Sequence, residues 1–449
     1  FIGRLPAALS AVALGAVIFH ASNGILRART AALAAIVFLC LPLSAIVGHV
    51  CLTDMTLTLL VSGTILYLYR GLKEGSSKFI ALGYIFNALG MLCKGPIAAI
   101  IPAAVLLGYL WLSRRSPAAI WSAIGKLNPG LGLLIALAVN VPWYAAAMSA
   151  TSGKFFEAFF LQQNFGRMMG TVNHQMPWWF YIPVFFGGFF PWCALTVATP
   201  KLFSRAIKAE AQPPAYLEIF RLALSWFLVV MVLFSAVKTK LPTYILPAAP
   251  AFAILIAMQT ELLVRRSQRH LLITSALSLL ALIIAICLQA VLPVYLKSFI
   301  FANWWAAALA IAALASALVL CFKRRTGAAL VCLCLGMMIA CGVFVPKGRR
   351  AFHDHRQVGF NSLVAMARDA KATVAILSAE EPMMPYILHK PVYRLQSGEA
   401  AAQFLTAGSA PRYLLVPREM VARLDWFPGG SKFIAQNGKW HLYEVFAPR

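Results

Sequence analysis

Long apolar runs, separated by short polar connections, recur along the first three quarters of the chain. They predict twelve helices, near 5–22, 31–48, 54–70, 79–93, 95–112, 130–148, 178–199, 219–237, 242–258, 270–291, 302–322 and 327–345. At about 1.5 Å of rise per residue, such helices match a hydrocarbon core of about 30 Å. Prolines at 42, 102, 142, 183 and 191 are expected to kink or end helices locally. The pattern changes after residue 346. There, 356–371 reads as an amphipathic helix, while Thr373–Leu377 and Tyr413–Val416 read as buried strands. Phe433–Ala435 and Trp440–Val445 flank Asn437-Gly438, a hairpin turn signal. The expected fold is thus mainly α: a polytopic membrane module over 1–346, followed by a small α/β domain over 347–449.

Composition agrees. Of 449 residues, 61% are apolar and only 12% charged, and the mean hydropathy is +0.78. Soluble domains carry about a quarter charged residues, so a soluble enzyme is excluded, as is a disordered chain. The 39 Lys and Arg against 14 Asp and Glu raise the question of a nucleic-acid partner, and their placement answers against it. Connections on one side carry Arg27, Arg29, Arg70, Lys73, Lys78, Arg114, Arg115, Lys126, Lys201, Arg205, Lys208, Arg221, Arg265, Arg266, Arg269, Lys323, Arg324 and Arg325. The other side carries Arg4, Lys94, Lys154, Arg167, Lys238, Lys240 and Lys297 before the tail. The richer side is expected in the cytoplasm, facing anionic lipids. The tail then lies outside, which in a bacterium is the periplasmic face of the inner membrane. A chain that starts outside with Phe1-Ile-Gly-Arg4-Leu-Pro6 implies an earlier crossing upstream.

The acids are as unevenly spread as the bases. Residues 1–346 hold Asp54, Glu74, Glu157, Glu210, Glu218 and Glu261, so a single aspartate. Asp54 falls at the outer mouth of the third span. An acid there is a functional candidate, and a helix N-cap is the alternative. Several cations share that outer side. Lys94 stands at the helix break Cys93-Lys94-Gly95-Pro96, and Arg167 in the outer loop Asn164-Phe-Gly-Arg167. Lys238 and Lys240 precede Pro242-Thr-Tyr244-Ile-Leu-Pro247. Each could instead contact lipid headgroups. His174 could bind a metal, orient an acid or lie at the interface, and Trp178, Trp179 and Tyr181 suit an interfacial aromatic belt. One carboxylate among several cations at a membrane mouth suits chemistry on a lipid-linked phosphate, with the cations holding the leaving phosphate and the carboxylate acting as base. The nine cysteines form no zinc or disulfide pattern, and there is no Walker loop, GxGxxG or DxD motif. No cofactor is expected with any certainty; a divalent metal finds no support.

Taken in order, Phe1–Ser10, Leu52-Thr-Asp54, Lys94-Gly-Pro96, Asn164–Arg167, His174–Trp179, Phe190-Pro-Trp192 and Lys238–Pro247 resemble the GT-C membrane glycosyltransferases. The branch is that of the lipid A aminoarabinose transferases and protein O-mannosyltransferase-like enzymes. The resemblance covers most of 1–260. It implies a sugar donor on a polyprenyl phosphate such as undecaprenyl phosphate, a lipid A or other glycolipid acceptor, and inversion at the sugar. It implies that Arg167 grips the donor phosphate, that Lys94, Lys240 and Tyr244 line the cavity, and that Asp54 is the family's second acid. The family's leading acid and a phosphate-binding lysine would lie upstream, so the segment alone is expected to be inactive. Gln162-Gln163-Asn164 stand where aminoarabinose transferases tend to carry histidine, which weakens both the metal and that particular sugar. Protein O-glycosylation, a flippase for lipid-linked substrates and a non-catalytic assembly protein are the competing expectations.

Overall fold

A computed structural model of the chain describes residues 2–113, 116–153, 155, 176–193, 214–264, 269–291 and 304–340, and in the tail 373–377, 392–395, 403–404, 412–417, 431–437 and 440–445. The chain divides into two compact units, Phe1–Leu292 with Ile300–Pro346, and Pro293–Phe299 with Lys347–Arg449.

The described part of the first unit is helical. Its helices are α1 (Leu5–Asn23), α2 (Ala28–Cys40), α3 (Pro42–Gly48), α4 (Asp54–Glu74), α5 (Ser77–Lys94), α6 (Ile97–Leu112), α7 (Pro117–Lys126) and α8 (Pro129–Ala150). There follow α9 (Tyr181–Gly188), α10 (Pro214–Ala236), α11 (Ala249–Val264), α12 (Arg269–Val291), α13 (Trp304–Phe322) and α14 (Thr326–Ile339). Proline in the first turn starts α1, α3, α7 and α8, where its missing N–H costs nothing. Ser116 Oγ and Asn128 Oδ1 accept the free amides of Ala119 and Leu131 at 3.3 and 3.2 Å, capping α7 and α8.

Each of the twelve expected stretches contains helix. Among the described residues six helices are long and apolar enough to cross a membrane, or seven if the bent pair α2–α3 is one span. The chain is a multi-pass membrane protein. Three stretches depart from the single helices expected. The stretch 31–48 breaks before Pro42, and α2 and α3 meet at 65°, because Leu41 is extended ahead of the proline. The stretch 242–258 begins as a 3-10 helix, Pro242–Ala248, and becomes α11 only after Pro247. The stretch 178–199 begins as a 3-10 turn, Trp178–Phe180, and its following helix α9 ends at Gly188. Pro102 and Pro142 lie inside α6 and α8 without ending them. Helices packed in a membrane tolerate this.

α4 is the centre of the packing. It touches α1, α5 and α6, and most of its residues are buried. It approaches α5 closely enough that glycine is required. A Cβ on Gly71 would lie 2.9 Å from the Ile80 backbone nitrogen, and one on Gly63 would lie 2.2 Å from the Phe86 ring. Small residues permit such approach between membrane helices. Gly71→Ala is therefore expected to splay the α4–α5 hairpin and cost about 1–3 kcal/mol. The measurement is the thermal midpoint of detergent-purified protein, and an unchanged midpoint would contradict the close packing.

The charged groups of the described helices sort to the helix ends. At the end where α4 finishes, Lys73 pairs with Glu218 at 2.8 Å and Arg70 with Glu74 at 2.6 Å. Arg221 meets Glu218 at 3.3 Å, and Arg27 meets Glu261 at 3.1 Å. Tyr109 and Thr30 hydroxyls also donate to Glu218 and Glu261. Basic residues expected only as topology markers, together with these two hydroxyls, thus tie the start of α2 to α11, and α4 and α6 to α10.

The described part of the second unit is a five-stranded sheet in the order β2-β1-β3-β5-β4. Its strands are β1 (Thr373–Leu377), β2 (Val392–Leu395), β3 (Arg412–Pro417), β4 (Ser431–Asn437) and β5 (Trp440–Val445). β2, β1 and β3 run parallel, and β5 is antiparallel to both β3 and β4. The expected helix over 356–371 lies outside the described residues.

Candidate functional site

Asp54 is the first residue of α4, with Thr53 as an N-cap that makes no side-chain capping bond. A negative charge in a first helical turn is favoured by the helix dipole. The carboxylate forms no capping bond; it makes an ion pair. Its Oδ1 accepts from Lys94 Nζ at 2.5 Å, with the Asp54 side chain 10% exposed and that of Lys94 26% exposed. Among the described residues Oδ2 makes no hydrogen bond.

Lys94 reaches Asp54 because α5 ends there. Gly95 follows at φ 76°, ψ −154°, a conformation open essentially to glycine alone, and its N–H bonds the Met91 carbonyl at 2.8 Å. Pro96 then caps α6. This break leaves the ammonium at a helix C-terminus, where positive charge is favoured. The ammonium also lies 5.1 Å from the centre of the Tyr244 ring, within cation–π range.

Tyr244 sits in the Pro242–Ala248 3-10 turn, where its N–H donates to the Leu241 carbonyl at 3.0 Å. Its ring also packs on Phe234, with centroids 5.5 Å apart. Asp54, Lys94 and Tyr244 are thereby brought together from three segments at the end of α4 opposite the glutamate-rich one. A helix of 21 residues keeps the two polar ends about 30 Å apart.

Lys240 is 3% exposed. Its Nζ donates to the carbonyls of Met176, at 3.2 Å, and Val237, and burial pushes the ammonium below the ordinary lysine value. Lys238 is exposed, and its carbonyl accepts from the Met176 N–H at 3.3 Å. Tyr181, expected in an aromatic belt, is instead 1% exposed. Its hydroxyl donates to the Leu241 carbonyl at 3.2 Å, which removes it from the interface. Trp178 and Trp179 remain exposed at 72% and 51%, as interfacial residues would. Arg167 and His174 lie outside the described residues. Among the described residues no cluster of three His, Cys, Asp or Glu could hold a metal ion.

Sequence reasoning missed that the lysine ending α5 meets the aspartate starting α4. It also missed the bonds from Lys240 and Tyr181 to backbone carbonyls. Only the shared outer side of Asp54 and Lys94 was a signal.

The family described as dolichyl-phosphate-mannose-protein mannosyltransferase matches residues 1–145. A relative from Pseudomonas paraeruginosa, undecaprenyl phosphate-alpha-4-amino-4-deoxy-L-arabinose arabinosyl transferase, is 32% identical over 256 residues, which are 54% of this chain and 43% of the relative. A relative of the same name from Serratia proteamaculans is 28% identical over 240 residues, 52% of this chain and 41% of the relative. The chain thus spans less than half the length of these curated relatives. Among solved structures, ArnT from Cupriavidus metallidurans bound to undecaprenyl phosphate superposes with a TM-score of 0.74 at 20% identity, covering 100% of this chain and 85% of that one.

Proposed function

We propose that this chain belongs to the GT-C membrane glycosyltransferases, on the aminoarabinose transferase branch, and serves transfer of a sugar from a polyprenyl-phosphate donor to lipid A or a related glycolipid, a reading its relatives support. The observation that carries the reading is the Asp54–Lys94 pair set against Tyr244 at one end of the helix bundle. The reaction needs a cation for the leaving phosphate and a carboxylate for the acceptor. An acceptor oxygen bonds to the anomeric carbon while the bond from that carbon to the donor phosphate oxygen breaks, inverting the centre. Polyprenyl phosphate leaves with the electron pair, and its charge is met by Lys94, with Arg167 and Lys238 as further cations on the same side. Asp54 Oδ2 takes the acceptor's proton. His174 would border the substrate. The names of the relatives support the donor and the sugar class, and the fold of ArnT supports the scaffold.

The module 1–346 would sit in the bacterial inner membrane with its glutamate-paired end in the cytoplasm, and 347–449 would be periplasmic. Support for that side comes from the bias of basic residues. The full-length protein, purified and given radiolabelled undecaprenyl-phosphate sugar and lipid A, is expected to label the lipid A and release undecaprenyl phosphate. No labelling of any glycolipid acceptor would end the proposal, and a reporter fused at residue 449 that reads cytoplasmic would overturn the orientation.

A further inference from the structure

Lys240 is an unusual cation. It is nearly fully buried, yet among the described residues no carboxylate pairs with it. Taking an ammonium out of water is unfavourable unless partners replace the lost hydration. Here the replacements are two backbone carbonyls from different segments, Met176 and Val237. Two more bonds join the same segments: Met176 N–H to the Lys238 carbonyl, and the Tyr181 hydroxyl to the Leu241 carbonyl. Lys240 is thus the charged member of a clasp between 176–181 and 237–241. The chain leaves this clasp directly into the turn that carries Tyr244, whose amide bonds back to Leu241.

We infer that Lys240 is a positioning residue. By fastening residues 237–241 to Met176 it fixes Tyr244, and through that ring the Lys94 ammonium against Asp54. A lysine suits the task because three N–H groups on a flexible stem can reach carbonyls of differing direction. The inference rests on the proposed transfer reaction only for its catalytic consequence, since the clasp itself has a readout of its own.

The test uses the full-length enzyme with Lys240→Met, Lys240→Arg, Tyr244→Leu and the Lys240→Met/Tyr244→Leu double variant. Hydrogen exchange reads the clasp directly. In Lys240→Met the amides of Met176 and Tyr244 should exchange about tenfold faster, and Lys240→Arg, which keeps donors for the carbonyls, should restore much of the protection. Transfer per folded molecule should fall about 100-fold in Lys240→Met, the scale expected of a misplaced site. The double variant should be no slower than the worse single one. Exchange that is unaltered in Lys240→Met overturns the clasp. Losses that multiply in the double variant overturn positioning and make Lys240 a direct substrate ligand. A wild-type protein with no transfer defeats the proposed function alone, while exchange still decides the clasp.

Discussion

Asp54→Asn is expected, on the proposed reaction, to lower glycosyl transfer by the full-length protein by roughly 10²–10⁴-fold, the range associated with loss of a general base. Asparagine keeps the volume and an oxygen that Lys94 can bond, so α4 keeps its start and its packing. What disappears is an acceptor for the proton. The Oδ2 atom is the part of Asp54 that the described residues leave without a hydrogen bond, and it is the atom whose basicity the substitution removes. Binding of the proposed polyprenyl-phosphate donor should persist in the variant, because the cations remain. A variant that transfers at the wild-type rate would remove Asp54 from the chemistry and reduce its pair with Lys94 to a helix-end contact.

The second large effect belongs to Lys94. Lys94→Met should stop transfer and also cost about 3 kcal/mol of stability, since it leaves a mostly buried carboxylate with no counter-charge. Adding Asp54→Asn to Lys94→Met should recover most of the stability, because a neutral pair needs no compensation, and recover none of the activity. The two readouts separate structure from chemistry. Denaturation in detergent gives the first, and sugar transfer the second. Were the double variant as unstable as the single one, the ion pair would not be the source of the lysine's contribution. A double variant that regained transfer would show that neither charge takes part in the reaction.

The helices were legible because a membrane span needs a long apolar run and little else. The departures come from local backbone chemistry that hydropathy does not register. Pro42 turns one expected span into two helices at 65°, since the residue before a proline avoids the helical region. Pro242 and Pro247 bracket a 3-10 turn. The ten-residue α7 is too short to look like a span, and β2, four residues after Pro391 at the sheet edge, is too short to show alternation.

The site was legible only as a list of residues on one side. That Asp54 was a lone aspartate in an apolar stretch could be read directly. Its partner could not, because residues 54 and 94 meet only once α4 and α5 fold into a hairpin held close by glycines 63 and 71. The family resemblance implies a cavity-lining Lys240, and the residues alone leave a lipid-headgroup contact open. Its burial depends on backbone carbonyls, which carry no residue-specific mark.

α4 has one more consequence, for biosynthesis. Of the six helices among the described residues able to cross a membrane it is the least apolar, and it is among the most buried within the protein. It carries Asp54 at one end and Arg70, Lys73 and Glu74 near the other. A segment of this kind gains little from lipid and much from α1, α5 and α6, so its entry into the bilayer is coupled to the arrival of its neighbours. The helix that begins with the candidate base is therefore also strongly dependent on assembly. In living cells, substitutions along it would alter how many molecules mature as well as how fast each one works.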